Sequence, residues 1–358
     1  MRIFHIHGDQ FNELPALPDA APPAGYLWVG IARAEFETNV ANLQGALQRW
    51  TGGQLVDLHV SDLLNPQLPS HFDYTSWYDL LVFRRLAALG ATDDLPATAV
   101  TRIDTSPVGF AVFDRVLLTV HPADCMVREY FANRLQQQAP SADGRDVRNN
   151  ARMPPSPADM TLRMVNHMVD SYLELRRLLT RQLDQLQQEL FGPSPQSSSW
   201  KLLLDSRNGL HLLEDTCEDQ RAAITEWIDA LDELPPDGDA AVLRERELLR
   251  VRSRDVLEHI ERVLVHVRRL ESSAENAVQM HFSAQSNRTN EIMRTLTTLT
   301  AIFLPLNLVT GFFGMNFDTL PGIHSPRAFW ITFGVMLMLG VGMSLYFWRK
   351  RYLSRPPK

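Results

Sequence analysis

The 358-residue chain has only two cysteines, Cys125 and Cys217, far apart and outside any Cys-x-x-Cys setting. That argues against a disulfide scaffold or a cysteine-based zinc site, and a reducing compartment is expected. Positive charge is not in excess: 35 Lys and Arg stand against 42 Asp and Glu, a net charge of −7. A chain-wide nucleic-acid footprint would be basic, so no nucleic-acid partner is expected. No phosphate-cradling glycine loop, nucleophile elbow or dinucleotide fingerprint occurs, so neither an enzyme nor coupling to ATP hydrolysis is expected. The opening residues, Met1-Arg2-Ile3-Phe4-His5, carry no apolar h-region of a secretory signal.

Charge is also missing locally. There is none between Arg294 and Asp318, a gap of 23 residues, and none between Arg327 and Arg349, a gap of 21. At about 1.5 Å per helical residue, either gap can cross a hydrocarbon core of roughly 30 Å. The second, Ala328 to Trp348, is the stronger signal. The first is diluted by Thr297, Thr298, Thr300, Pro305, Asn307 and Thr310, which suits a helix with one face toward water inside an assembly. The tail after Trp348 holds Arg349, Lys350, Arg351, Arg355 and Lys358, whereas the link between the spans holds only Arg327. Basic flanks stay on the cytoplasmic side. The expected localisation is therefore the cell inner (plasma) membrane, with both termini cytoplasmic.

Glycine and proline are absent from Asp239 to Leu304, 66 residues in a row. So long a stretch predicts a coiled coil, a membrane helix or both. Upstream, the pattern is mixed. Residues 25–31, 79–83, 108–113 and 115–120 read as strands, and 33–50 and 126–138 as helices. A polar, Pro-rich break at 139–157 ends this part. One helix is then predicted from Ala158 to Phe191, with Leu162, Val165, Val169, Tyr172, Leu179, Leu183, Leu186 and Leu190 on a three–four spacing. A second helical stretch runs to about Leu234, with Gly209 as its weak point. The expected fold is α+β: a cytoplasmic α/β domain (1–155), a helical pair (156–238), a stalk helix (239–295) continuous with the first membrane helix, a two-helix membrane hairpin (296–348) and a basic tail (349–358).

At the outer end of the first span stands Pro305-Leu306-Asn307-Leu308-Val309-Thr310-Gly311-Phe312-Phe313-Gly314-Met315-Asn316. With the Gly-Met-Asn tripeptide at this depth, the long stalk and the basic tail, the sequence resembles the CorA family of divalent-cation transporters. The likeness is strong over about 245–350. Upstream it rests on His59-Val60-Ser61-Asp62-Leu63-Leu64-Asn65 and Leu117-Leu118-Thr119-Val120-His121. It implies a homopentamer in a lipid bilayer, with span one lining a central pore and span two facing lipid. It also implies a regulatory metal ligand at Asp255, within Arg254-Asp255-Val256-Leu257-Glu258-His259, with Asp62 as its partner across a subunit interface. Ser61 stands where the family has a second acid.

The residues of span one fit that expectation. Asn290, Met293, Leu296, Thr300, Leu304, Asn307 and Gly311 recur every three or four positions and form one helical stripe. In a ring, Asn290 and Asn307 would supply polar rings separated by apolar rings that close by dewetting. Mg²⁺ gives up its water reluctantly. Neutral oxygens from Asn316 and from the Gly314 and Met315 carbonyls suit a hydrated ion. The divalent cations, Mg²⁺ foremost with Co²⁺ or Ni²⁺, are then cargo and regulator, and no cofactor is expected. Pro321 is followed by Gly322 rather than an acid, Asp318 is offset by Arg327, and His324 favours a softer ion. A Zn²⁺ transporter of the same fold therefore stays open, as does a non-conducting membrane-anchored coiled-coil sensor or scaffold. His5-Ile6-His7 could open a metal-hydrolase site, but no further ligand pattern follows.

Overall fold

The computed structural model describes residues 1–89, 102–123, 125–138, 152–190, 197–233, 239–315 and 326–350. The chain divides into two compact units, Met1–Glu275 and Asn276–Lys358. The architecture is the expected α+β domain followed by long helices.

In the first unit the elements run β1 (Arg2–His7), β2 (Gln10–Leu14), β3 (Tyr26–Ala32), α1 (Arg33–Thr51), α2 (Asp57–Leu64), β4 (His71–Tyr74), β5 (Asp79–Arg84), β6 (Ala87–Leu89), β7 (Arg102–Asp104), β8 (Pro107–Val112), β9 (Val116–His121) and α3 (Met126–Gln138). A seven-stranded sheet has the order β2-β1-β3-β9-β8-β5-β4. Only β3 and β9 pair in parallel, and the remaining neighbours are antiparallel. Strands β3, β8 and β9 are nearly continuous apolar runs, as strands covered on both faces should be. Leu27, Val29 and Ile31 of β3 pack with Phe36, Leu43 and Leu47 of α1. The alternate residue Trp28 points the other way, and its indole donates to Thr119 Oγ1 at 3.0 Å.

Helix α2 matters because it carries Asp62. Gly109 of β8 lets it approach, since a Cβ there would overlap Leu63 Cδ2. Arg33 closes its end by donating to the Leu63 carbonyl at 3.1 Å and the Pro107 carbonyl at 2.6 Å.

Four helices follow: α4 (Pro157–Asp170), α5 (Tyr172–Leu190), α6 (Ser197–Glu233) and α7 (Ala240–Phe313). Where one helix was expected from 158 to 191 there are two. Ser171 separates them, and its hydroxyl donates to the Met168 carbonyl at 2.6 Å, in competition with the backbone ladder. Helix α4 starts on a cap: Ser156 Oγ accepts from Asp159 N at 3.3 Å, and Pro157 occupies the first turn. Trp227 of α6 is buried against the ring of Phe72 in β4, at 5.5 Å between centroids. Gly209 does not interrupt α6.

The first-unit part of α7 buries Leu249, Ser253, Val256, Ile260, Val263, Val267, Leu270 and Ala274. These alternate four and three apart, the seam of a coiled coil. Beside the seam, Thr180 of α5 bonds His266 at 3.0 Å and Gln187 donates to Ser273 Oγ at 3.1 Å.

The second unit holds the rest of α7 and α8 (Pro326–Arg349). The most apolar windows of these helices are only 11 % and 0 % buried by protein. A core helix of a soluble domain would be covered, so these surfaces suit lipid or further copies of the chain.

Candidate functional site

The span-one end of α7 is built to hide its polarity from lipid. Thr297, Thr298 and Thr300 each donate to the carbonyl four residues earlier, at 2.8, 2.8 and 2.9 Å. Thr310 donates to Leu306 and Asn307 carbonyls at 3.1 and 3.0 Å. The threonines thus satisfy themselves on their own helix and need no water. That leaves Asn307, whose amide is a stronger demand on its surroundings. Pro305 sits inside the helix and has no N–H to return to the preceding turn.

The side of α7 that turns toward α8 is marked by Ile302 and Leu306, which line an apolar groove with Met336, Leu337, Gly340, Val341, Ser344 and Leu345. At about 100° per residue, Thr300, Leu304, Asn307 and Gly311 fall on roughly the opposite side. All seven stripe residues, Asn290, Met293, Leu296, Thr300, Leu304, Asn307 and Gly311, are exposed in the single chain. One helix face is therefore used on the partner helix, and the polar stripe is left outside that contact.

The helix ends in the motif. Gly314 N donates to the Thr310 carbonyl at 2.9 Å, and Met315 N donates to the Phe312 carbonyl at 3.4 Å. A Cβ at Gly314 would stand 2.9 Å from that same Thr310 oxygen, so a side chain here would push the last turn apart. This is the local reason for glycine. Asn316, Asp318, Pro321, Gly322 and His324 lie outside the described residues.

Asp62 is half-buried near the end of α2, with its Oδ2 3.9 Å from His71 Nε2 of β4. Next to it, buried His59 spans Tyr78 Oη at 2.7 Å and Asp73 Oδ2 at 3.0 Å. Asp255 is exposed on α7, between the seam residues Ser253 and Val256. Among the described residues, neither aspartate belongs to a cluster of three metal-ligating groups within one chain. Among the described residues one such cluster occurs, at His211, Glu214 and Glu271. Its sequence signal was the pair His211 and Glu214, three apart on one helix face. The third member is 57 positions further on and invisible to local pattern. His5 Nε2 donates to the Ala24 carbonyl, 2.9 Å away, and among the described residues no such cluster forms around it and His7.

The family profile described as "CorA-like Mg2+ transporter protein" matches residues 52–351. The chain belongs to the CorA family. The cobalt/magnesium transport protein CorA of Thermotoga maritima is 26 % identical over 190 residues, 53 % of this chain and 51 % of that one. The magnesium transport protein CorA of Haemophilus influenzae is 29 % identical over 101 residues, 28 % of this chain and 32 % of that one. These matches take in about half of the length of the first relative and about a third of the second. In three dimensions, the complete structure of the CorA magnesium transporter from Methanocaldococcus jannaschii aligns over 98 % of both chains, with a TM-score of 0.74 at 16 % identity. The full-length CmaX protein aligns over 98 % of this chain and 97 % of its own, with a TM-score of 0.57 at 16 % identity. At these identities the structural likeness establishes the shared fold. The CorA architecture of N-terminal α/β domain, long helix and C-terminal helix thus covers nearly the whole chain.

Proposed function

We propose that this chain is one subunit of a homopentameric divalent-cation channel whose pore is lined by α7. The observation that carries this reading is the stripe from Asn290 to Gly311, which lies off the α8-facing side and is exposed in the single chain. Five copies would close the stripe into rings. Asn290 and Asn307 would hold a hydrated ion, while Met293, Leu296 and Leu304 would form constrictions that stop conduction when they dry. Gly314, Met315 and Asn316 at the outer end would receive the ion with its water shell. Mg²⁺ is the proposed cargo, with Co²⁺ and Ni²⁺ following. Both termini are placed in the cytoplasm, so that the basic tail faces inward. A charge of +2 moving inward gains about 4.6 kcal/mol per 100 mV, so the potential alone can drive entry.

Reconstituted vesicles with an imposed inside-negative potential test the reading. Mg²⁺ uptake that scales with the potential is the expected result. Uptake of Zn²⁺ but not Mg²⁺ would make the chain a Zn²⁺ transporter of the same fold. No uptake of any of Mg²⁺, Co²⁺, Ni²⁺ or Zn²⁺ would leave a membrane-anchored scaffold.

Regulation is proposed at Asp255, bridged by metal to Asp62 of the neighbouring copy. Metal that binds the closed arrangement better than the open one shifts the population toward closed. Asp255→Ala should then raise the internal Mg²⁺ needed for half-inhibition by about tenfold, within the usual range of coupling between sites. An inhibition curve that overlays the wild type would remove Asp255 from the gate.

A further inference from the structure

Helices α6 and α7 meet in the first unit along a charged ladder. Arg207 pairs with Glu275 at 2.9 Å, and His211 Nδ1 with Glu271 Oε1 at 3.0 Å. Arg268 pairs with Glu214 at 2.6 Å and also with Glu218. The rungs step four, three and four along α6, from 207 to 218, and four and three back along α7, from 275 to 268. This is the spacing of one facing edge. Four carboxylates face two guanidiniums and one imidazole along this ladder.

One rung is chemically distinct. The ligating atoms of His211, Glu214 and Glu271 all lie within 4.8 Å of one another. His211 and Glu214 project from one turn of α6, and Glu271 comes from α7. The side chains of Glu214 and Glu271 are only 22 % and 16 % exposed, so the two carboxylates meet in partial shelter from water. Burial and the neighbouring Glu214 raise the Glu271 carboxyl above its ordinary range. A hydrogen bond from Arg268 lowers that of Glu214. A cation between them would relieve the crowding.

We propose that His211, Glu214 and Glu271 form a three-ligand site for a borderline divalent cation, Zn²⁺ foremost, that clamps α6 to α7. The donor set selects the ion. An imidazole nitrogen suits Zn²⁺, Co²⁺ and Ni²⁺, whereas Mg²⁺ favours oxygens and retains its water. Three protein ligands leave a fourth position for water. With metal–ligand bonds of about 2.1 Å, tetrahedral donors stand roughly 3.4 Å apart. His211 and Glu271, 3.0 Å apart, stand close to that spacing, and with all three ligating atoms within 4.8 Å of one another small side-chain adjustments would complete the set. Arg268 can stay where it is, because a ligating carboxylate is ordinarily hydrogen-bonded from outside. The site lies on residues other than Asp62 and Asp255, and it does not depend on the chain conducting ions.

Zn²⁺ binding to the metal-stripped full-length protein in detergent provides the test. It is measured by competition with a chromophoric chelator, with excess Mg²⁺ present to fill oxygen-ligand sites. Glu271→Gln preserves shape and hydrogen bonding, and His211→Ala removes the nitrogen. Each is expected to bind one Zn²⁺ fewer per chain than the wild type, while Asp255→Ala keeps that ion. Unchanged Zn²⁺ binding in both variants would overturn the site, and so would loss in only one of them.

Discussion

Asn316→Ala is expected to lower divalent-cation flux by at least about a hundredfold while the oligomer stays assembled. The size follows from multiplicity. In the proposed pentamer one codon changes five side chains around one axis. Each lost hydrogen bond to the ion's water shell is worth about 0.5–1.5 kcal/mol, so five together give roughly 2.5–7.5 kcal/mol. A hundredfold loss needs only about 2.7 kcal/mol. Assembly should survive, because the substitution removes one amide per copy and leaves the exposed apolar surfaces of α7 and α8 unchanged. Radiotracer or dye-reported uptake, together with a sizing measurement in detergent, separates the two effects. Flux within a few-fold of wild type in an intact oligomer would remove Asn316 from ion recognition. The neighbouring Gly314 would make a poor substitute target, because a side chain there meets the Thr310 carbonyl and disturbs the helix end itself.

The parts of the fold that could be read from sequence were those where burial imposes a period. Strands β3, β5, β8 and β9 are covered on both faces and were visible as apolar runs. The long helix α7 was visible because nothing in it breaks a helix before Pro305. Strand β2 escaped, since it is an exposed, polar edge strand whose pairing with β1 is set by a turn at Gly8 and not by its own pattern. Helix α2 escaped because eight residues are too few to show a period. The break at Ser171 was hidden, since a serine reads as neutral in a helix until its hydroxyl finds the Met168 carbonyl. Of the candidate site, the stripe on α7 was legible because it is local. The charged ladder between α6 and α7 was not, because its partners are fifty or more residues apart, as with Arg268 and Glu214. Among these contacts, the one that fastens α4 to α7 is also long-range, and removing it should have the largest effect on stability.

That contact is Asp159. Its carboxylate is 4 % exposed and holds two cations: Arg163 Nε at 2.9 Å on its own helix and Arg252 Nη1 at 2.5 Å on α7. Its backbone N–H is at the same time bound to the Ser156 cap. Burial pushes the Asp159 carboxyl up, against the downward pull of Arg163 and Arg252. Burial likewise lowers Arg163. The cluster is therefore expensive to desolvate and stabilises chiefly by keeping each charge accompanied. Asp159→Ala leaves two guanidiniums without their carboxylate. Removing one partner of a buried pair costs about 3–5 kcal/mol, and the lower end applies here because Arg252 reaches water. With a urea slope of about 3 kcal/mol/M, the unfolding midpoint read from the buried Trp28 and Trp227 should fall by about 1 M. Asp159→Asn keeps the acceptor oxygen and should lose less. Replacing Asp159, Arg163 and Arg252 together by apolar residues should recover much of the loss, because no orphaned charge remains. The pH dependence has a defined sign. With the folded value raised, the native state binds more protons than the unfolded one in the window just above the ordinary carboxylate range. Wild type should therefore gain stability relative to Asp159→Asn as pH falls through that window. A gain on raising the pH would mean that the two arginines outweigh burial at this carboxylate.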